Sequence, residues 1–402
     1  MYGNLAVLAA FAFVYGLAAG RLEKTPVNGP VVFLAFGILA GPYGLGLLDL
    51  SVGGEGLRTV AELTLALVLF TDSANADLAT LRRSFRIPQR MLLVGLPLTI
   101  ALGVGTGMLL FPHLPFLTVA ILATILAPTD AALGEAVITN EAVPAPVRES
   151  LNVESGLNDG ICVPILFTFL ALAAGTDESA AQIMLHFVAE EIGIGLAVGV
   201  GLSVAGRYAI RAAADRGWIE APWTRIPVIA LALTCFAVAQ AAGGSGFIAC
   251  FTGGLAFGGL VKQKKDLLLS GAEGVGELLS LLTWVMFGAA VSGRYLGDLD
   301  VRIVGYSLLS LTLIRMLPVS LSLLGLGVRA DAQLFLGWFG PRGLASIVFL
   351  VIAVGQNVAG ADTLVTTVVC TVTLSILAHG LTANPFANAY AARAATDPKM
   401  RA

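Results

Sequence analysis

A bundle of membrane-spanning α-helices, two of them interrupted at mid-depth, is the fold this sequence predicts. Three observations carry that expectation. The 402 residues are 57% hydrophobic and only 12% charged, where a soluble domain carries about 25% charged residues. Mean hydropathy is +0.88. A water-facing core of this length could not hide so much apolar surface, whereas a bundle in lipid needs no polar exterior. Apolar stretches of roughly 18–28 residues recur along the chain, each long enough to cross a ~30 Å hydrocarbon layer. Ionisable residues lie inside several of them, and at that depth they mark an ion or proton path by default.

Thirteen such stretches are predicted, at residues 3–20, 27–49, 58–75, 90–112, 115–139, 147–174, 180–206, 224–242, 244–261, 270–291, 302–326, 332–355 and 362–385. No Lys or Arg precedes the first and no cleavage-like site follows it, so it reads as a helix and not a signal peptide. The seventh is the least regular, because Glu190 and Glu191 fall within it. The longest polar link, around 207–223, is too short for a soluble domain, and the tail after Pro385 is short. The chain therefore reads as one transmembrane domain, 1–402.

Alternating sides assign the basic residues. Of the 23 Lys and Arg, 18 fall on one side, among them Lys24, Arg82, Arg83, Lys262, Lys264, Lys399 and Arg401. Three fall on the other, Arg58, Arg294 and Arg302, and two, Arg315 and Arg342, lie within stretches. The richer side is expected in the cytoplasm, with the N-terminus outside and the C-terminus inside. A net charge of −3 with small, scattered basic clusters gives no reason to expect nucleic acid. Cys162, Cys235, Cys250 and Cys370 sit in apolar runs without paired spacing, so they read as buried small residues. No cofactor is implied.

Two stretches are interrupted. The fifth contains Ala127-Pro128-Thr129-Asp130-Ala131, and the twelfth contains Gly337-Trp-Phe-Gly340-Pro341-Arg342-Gly343. Proline removes an amide donor and glycine permits unwinding. At membrane depth such breaks survive only where they are buried in protein or line a cavity. Stretches five and twelve cross in opposite directions, as two six-helix repeats of inverted topology (1–6 and 8–13) would require. Matching breaks of that kind point to a transport site at the midplane.

The sixth stretch holds the densest polar pattern. On a helix, Arg148, Asn152, Ser155 and Asp159 fall on one ridge, and Glu154 with Asn158 on a second about 100° around. Asp159 then lies ~16 Å along the helix from Arg148, about half the hydrocarbon depth. Asp130, Arg315 and Arg342 reach roughly 15–20 Å in by the same count. Asp130, Glu154 and Asp159 against Arg315 and Arg342 leave one negative charge over. One spare carboxylate in a low-dielectric site suits one monovalent cation or one proton. Asp72, Glu190, Glu191 and Glu277 read as solvated or entrance groups near the ends of stretches, and His186 and His379 as packing residues. Gly254-xxx-Gly258 permits close helix packing without saying against what.

Thr129-Asp130 and Glu154-Ser155-Gly-Leu-Asn158-Asp159-Gly160 resemble the signature of the monovalent cation/proton antiporter family, the branch with bacterial sodium/proton antiporters and animal sodium/hydrogen exchangers. Gly340-Pro-Arg342-Gly343 is similar to that family's Gly-x-Arg-Gly segment. Ser375-Ile-Leu-Ala-His379-Gly380 is similar to its last helix, and Gly37-Ile-Leu-Ala-Gly41-Pro-Tyr-Gly to an early one. The resemblance implies a mobile core (about 90–174 and 302–385), a panel of the remaining helices and a homodimer. It implies that Asp159 binds Na⁺ or a similar monovalent ion, with Asp130, Thr129 and Ser155 alongside and Asn158 adjacent. Glu154 would form a structural ion pair with an arginine, Arg315 or Arg342. The family often has Thr-Asp-Pro where this chain has Thr129-Asp130-Ala131, so unwinding here falls to Pro128.

Rival classes fit less well. Asp130 and Asp159 meet the two-acid count of an intramembrane aspartyl protease, but neither has a Gly-x-Gly-Asp setting, and nearby arginines favour both anions. No pore loop or filter of a channel is visible. The expectation is an electroneutral antiporter exchanging a cation for H⁺ across a bacterial or archaeal inner membrane. Na⁺ comes first, and a K⁺/H⁺ exchanger of the same fold is the alternative. An enzyme is not expected.

Overall fold

The computed structural model describes residues 2–22, 29–50, 55–75, 86–130, 135–138, 142–174, 188–220, 223–261, 265–292 and 299–396, with residues 133, 140, 295 and 297. Ala131, His186 and the cations Lys24, Arg82, Arg83, Lys262, Lys264, Arg294, Lys399 and Arg401 lie outside the described residues.

Among the described residues all regular structure is helical. In order the helices are α1 (Tyr2–Leu22), α2 (Gly29–Ala40), α3 (Glu55–Asn75), α4 (Arg86–Leu110) and α5 (Phe116–Ile125). Then come α6 (Glu135–Ile138), α7 (Ala145–Ala173), α8 (Glu190–Asp215), α9 (Ile226–Ala241) and α10 (Gly246–Leu260). The last are α11 (Lys265–Ala290), α12 (Val301–Ser322), α13 (Ala330–Trp338), α14 (Leu344–Gly355) and α15 (Ala361–Thr396). Every apolar stretch read from the sequence holds at least one of them. Seven (α1, α4, α7, α8, α11, α12 and α15) are long and apolar enough to cross a membrane by length and composition, and α2, α5, α9, α10 and α14 are shorter apolar helices.

Several boundaries differ from expectation for local reasons. The second stretch stops being helical at Ala40: the Gly41-Pro-Tyr-Gly segment turns, and Leu48 N–H returns to the Ala40 carbonyl at 2.8 Å. The eleventh is two helical pieces in α12, parted at Thr312, where φ −117° and ψ −94° break the ladder. The thirteenth does not end at Pro385: α15 runs through it to Thr396. A single missing amide is cheap where the freed carbonyl, that of Leu381, belongs to an exposed residue.

Packing divides the helices. α3, α8, α9, α10 and α11 pack on one another, as do α4, α5, α7, α12, α14 and α15, while α3 and α10 also pack against α7. Gly254 and Gly258 settle against α3: a Cβ on either would run into the carbonyls of Phe70 and Ala74. Their spacing serves packing within the chain. α1 buries only Leu8.

Candidate functional site

Two interrupted helices face each other end to end. α5 stops at Ile125 because Pro128, without an amide, cannot continue the ladder, and Ala127 N–H closes on Thr124 at 3.3 Å. α13 stops at Trp338, and residues 339–343 run without helix until Gly343 caps α14. The two breaks bond to each other: Asp130 N–H donates to the Pro341 carbonyl at 2.9 Å. Asp130 Oδ2 accepts the Leu344 N–H at 2.8 Å, placing a carboxylate at the positive end of α14. In exchange, Arg342 Nη1 donates to the carbonyls of Ala127 (3.2 Å) and Pro128 (3.3 Å), and Ser346 Oγ to Ile125 at 2.8 Å. Each break thus supplies the charge that the other's helix end favours. Gly343 is required by this closeness, since a Cβ there would collide with the Asp130 carboxylate.

Beside the breaks stands α7, which starts after Pro144 and carries Glu154, Ser155, Asn158 and Asp159 on its buried side. Glu154 and Arg315 form a parallel two-bond fork, Nη1–Oε1 and Nη2–Oε2 both 2.6 Å, with each residue 1% exposed. Arg315 fits because position 340 is glycine; a Cβ there would strike its Nε. Arg342 meets backbone carbonyls, including Ser310 at 3.4 Å. Ser155 Oγ donates to the Thr129 carbonyl and Asn158 Nδ2 to Thr129 Oγ1, both at 2.6 Å. The Asn158 amide therefore ties α7 to Thr129.

Among the described residues, five buried side-chain atoms have no hydrogen-bond partner: Arg315 Nε, Arg342 Nε, Thr373 Oγ1 and two acceptors on α7. Asp159 Oδ1 and Asn158 Oδ1 are buried and have no hydrogen-bond partner. Leaving a buried acceptor unsatisfied costs ~1–3 kcal/mol, a cost that a bound cation or proton would offset. A cavity of about 10 Å³, roughly room for one water-sized occupant, is lined by Thr129, Asp130, Ile138, Leu151, Ser155, Phe339 and Pro341; Thr129 and Ser155 connect it to the bonds that α7 makes. No group of three His, Cys, Asp or Glu able to hold a resident metal occurs among the described residues; the oxygens here suit a hard monovalent cation as cargo.

One acid was misplaced by the sequence. Asp72, read as an entrance group, faces α7: a Cβ on Gly156 would stand 3.5 Å from its carbonyl oxygen and 3.7 Å from its Cβ. Asp72 and Asp130 both lie within electrostatic reach of Asp159. The available signal was an acid at the foot of the apolar run Leu67–Phe70. Of the serines that receive or brace the breaks, Ser346 and Ser375 fall in the family-like segments of the sequence, whereas Ser310 carried no signal.

Crossed, interrupted helices beside buried ionisable groups define a membrane protein of the secondary-transporter class. The chain belongs to the sodium/hydrogen exchanger transmembrane family, whose profile matches residues 7–389. It is 25% identical over 383 residues to the K(+)/H(+) antiporter NhaP2 of Shewanella sp. (strain ANA-3), covering 93% of this chain and 64% of that protein. It is 26% identical over 349 residues to Na(+)/H(+) antiporter 2 of Zygosaccharomyces rouxii, covering 81% of this chain and 42% of the yeast protein. The chain thus spans less than two thirds of either relative. Its fold matches that of the sodium proton antiporter MjNhaP1 from Methanocaldococcus jannaschii at pH 8, with a TM-score of 0.79 and 18% identity, over 94% of this chain and 98% of that one.

Proposed function

We propose that this protein exchanges a monovalent cation, Na⁺ first, for H⁺ across the cell membrane. The observation that carries the reading is the pair of buried, unpartnered oxygens on Asp159 and Asn158 beside two interrupted helices. Deprotonated Asp159 takes a partly dehydrated cation, with oxygens from Ser155, Asn158 and the Thr129 region. Asp130, with Oδ2 committed to the Leu344 amide, contributes mainly its charge. A proton on Asp159 removes the charge that held the ion and expels it. Only the neutralised site crosses between sides, since carrying a bare charge through the apolar barrier costs several kcal/mol.

Glu154 is held by Arg315, and Arg342 is held by carbonyls. One group is then left to load and unload, which supports electroneutral exchange. We further infer thirteen crossings in two inverted six-helix repeats, with the N-terminus outside and the C-terminus cytoplasmic. The moving core would comprise residues of about 90–174 and 302–385, and a homodimer would form through the panel. The apolar, largely uncovered α1 supports a face for lipid or a second copy. The second reading is K⁺/H⁺ exchange, favoured by what the bacterial relative is named for.

Purified protein in liposomes, given Na⁺, Li⁺ or K⁺ under an imposed pH gradient, tests both. Cation-dependent dissipation of the gradient is expected for the wild type. No dissipation with any of the three ions would sink the reading, and a response to K⁺ alone would select the second.

A further inference from the structure

Exchange at Asp159 leaves one buried polar group without a task. His379 on α15 is 0% exposed and does not touch the cation site. Its ring bridges two backbones. Nε2 lies 2.9 Å from the Trp338 carbonyl oxygen, and Nδ1 lies 3.2 Å from Ser375 Oγ and 2.9 Å from the Ser375 carbonyl. Ser375 Oγ in turn accepts the backbone N–H of Arg342 at 2.6 Å.

In the neutral ring one nitrogen donates: with the proton on Nε2 it donates to the Trp338 carbonyl and Nδ1 accepts the Ser375 hydroxyl, and with the proton on Nδ1 it donates to the Ser375 carbonyl. In either case Arg342 N–H donates to Ser375 Oγ. One turn on, Thr382 Oγ1 accepts Trp338 Nε1–H at 3.1 Å. Positions 375, 379 and 382 share one face of α15. All three hold the stretch 338–342, where helical bonding lapses after Phe339 N–H closes on Phe335 at 3.0 Å.

That stretch is also what holds the fifth-stretch break in place. Its Pro341 carbonyl accepts Asp130 N–H, and its Arg342 guanidinium carries the Ala127 and Pro128 carbonyls. The next residue, Thr129, is bonded to Ser155 and Asn158. A shift of 338–342 therefore reaches the ligand oxygens through two covalent neighbours and two hydrogen bonds. An apolar side chain at 379 would fill the space but remove the ring's contacts to Ser375 and to the Trp338 carbonyl, leaving the latter with Gly340 N–H and Ser375 Oγ with Arg342 N–H.

We propose that His379 and Ser375 are positioning residues that set cation affinity by clamping the break at residues 338–342 against α15. The proposal rests on Asp159 as the transported ion's site. Its test is cation exchange in proteoliposomes, with KM and kcat measured separately for the wild type, His379→Phe, His379→Gln and Ser375→Ala. His379→Phe keeps a ring and loses both polar atoms, so cation KM should rise about tenfold with a smaller change in kcat. Ser375→Ala should move KM in the same direction. His379→Gln offers one donor and one acceptor and should bring KM back to within about threefold of wild type.

Wild-type KM in both His379→Phe and Ser375→Ala overturns the clamp, as does His379→Gln being no better than His379→Phe. Should His379→Phe fail to insert, Ser375→Ala alone decides, because it removes only a hydroxyl. A wild type that moves no cation defeats the functional reading itself. A working wild type with unmoved variants defeats only the clamp.

Discussion

Glu154 and Asp159 sit on one helix, little more than a turn apart, and both are buried, yet their surroundings are opposite. Glu154 has both oxygens bonded to the Arg315 fork. Asp159 keeps Oδ1 without a partner, next to an Asn158 oxygen in the same condition. A buried carboxylate with a matched guanidinium gains nothing from an ion and loses much if its partner goes. One with an open oxygen is stabilised by whatever cation or proton arrives. The contrast separates a carboxylate held in an ion pair from one with an open oxygen, the one we propose to carry exchange, although both are buried on the same helix.

The largest effect expected from breaking this contrast is at Asp159. Asp159→Asn keeps the shape and removes the charge, so cation-driven proton movement in liposomes should vanish while the protein still inserts and folds. Persistent exchange in that variant would move the site elsewhere.

Glu154→Gln should do the reverse, acting first on stability. Leaving Arg315 buried and unpaired costs roughly 3–5 kcal/mol, so thermal unfolding in detergent should come at a lower temperature than for Asp159→Asn. Joining Glu154→Gln with Arg315→Gln should recover ~1–3 kcal/mol relative to the two losses added. Strict additivity would show that the fork carries no coupling.

A smaller effect is expected at Asp72, beside Gly156 on the far side of α7. Asp72→Asn withdraws a negative charge near Asp159 and should weaken apparent cation affinity by about threefold, with exchange retained. Loss of all exchange would make Asp72 a second indispensable carboxylate.

The least effect is expected from voltage. If Asp159 alone loads and unloads, exchange in liposomes clamped with valinomycin and K⁺ should run at the same rate at every potential. A rate that climbs with potential would point to a second proton carrier, with Asp72 and Asp130 the acids to replace first.

How much of this could be read in advance depended on the range of the forces involved. Hydropathy located the helices, because crossing lipid is a local demand on each stretch. The motif at 154–160 located α7's polar ridges through helical periodicity alone. Pro128 and the Gly340-Pro341-Arg342-Gly343 run announced their breaks through the backbone chemistry of proline and glycine. Helix ends were less legible: α15 passes Pro385 and α12 parts at Thr312, since whether a helix tolerates one missing bond depends on which neighbouring groups take it up.

The sequence by itself determined that this chain is a membrane bundle with charged groups at mid-depth, as apolar length and buried charge are properties of single segments. Only the tertiary structure decided that Arg315 takes Glu154 while Arg342 takes carbonyls, that Asn158 bonds Thr129, that Asp130 caps α14, and that Asp72 faces α7. Those outcomes rest on which residues stand within reach of each other across long separations in the chain: 29 positions between Thr129 and Asn158, 161 between Glu154 and Arg315, and 214 between Asp130 and Leu344. Hydrogen bonds and ion pairs act over a few ångströms of space, and no spacing along the sequence encodes that distance.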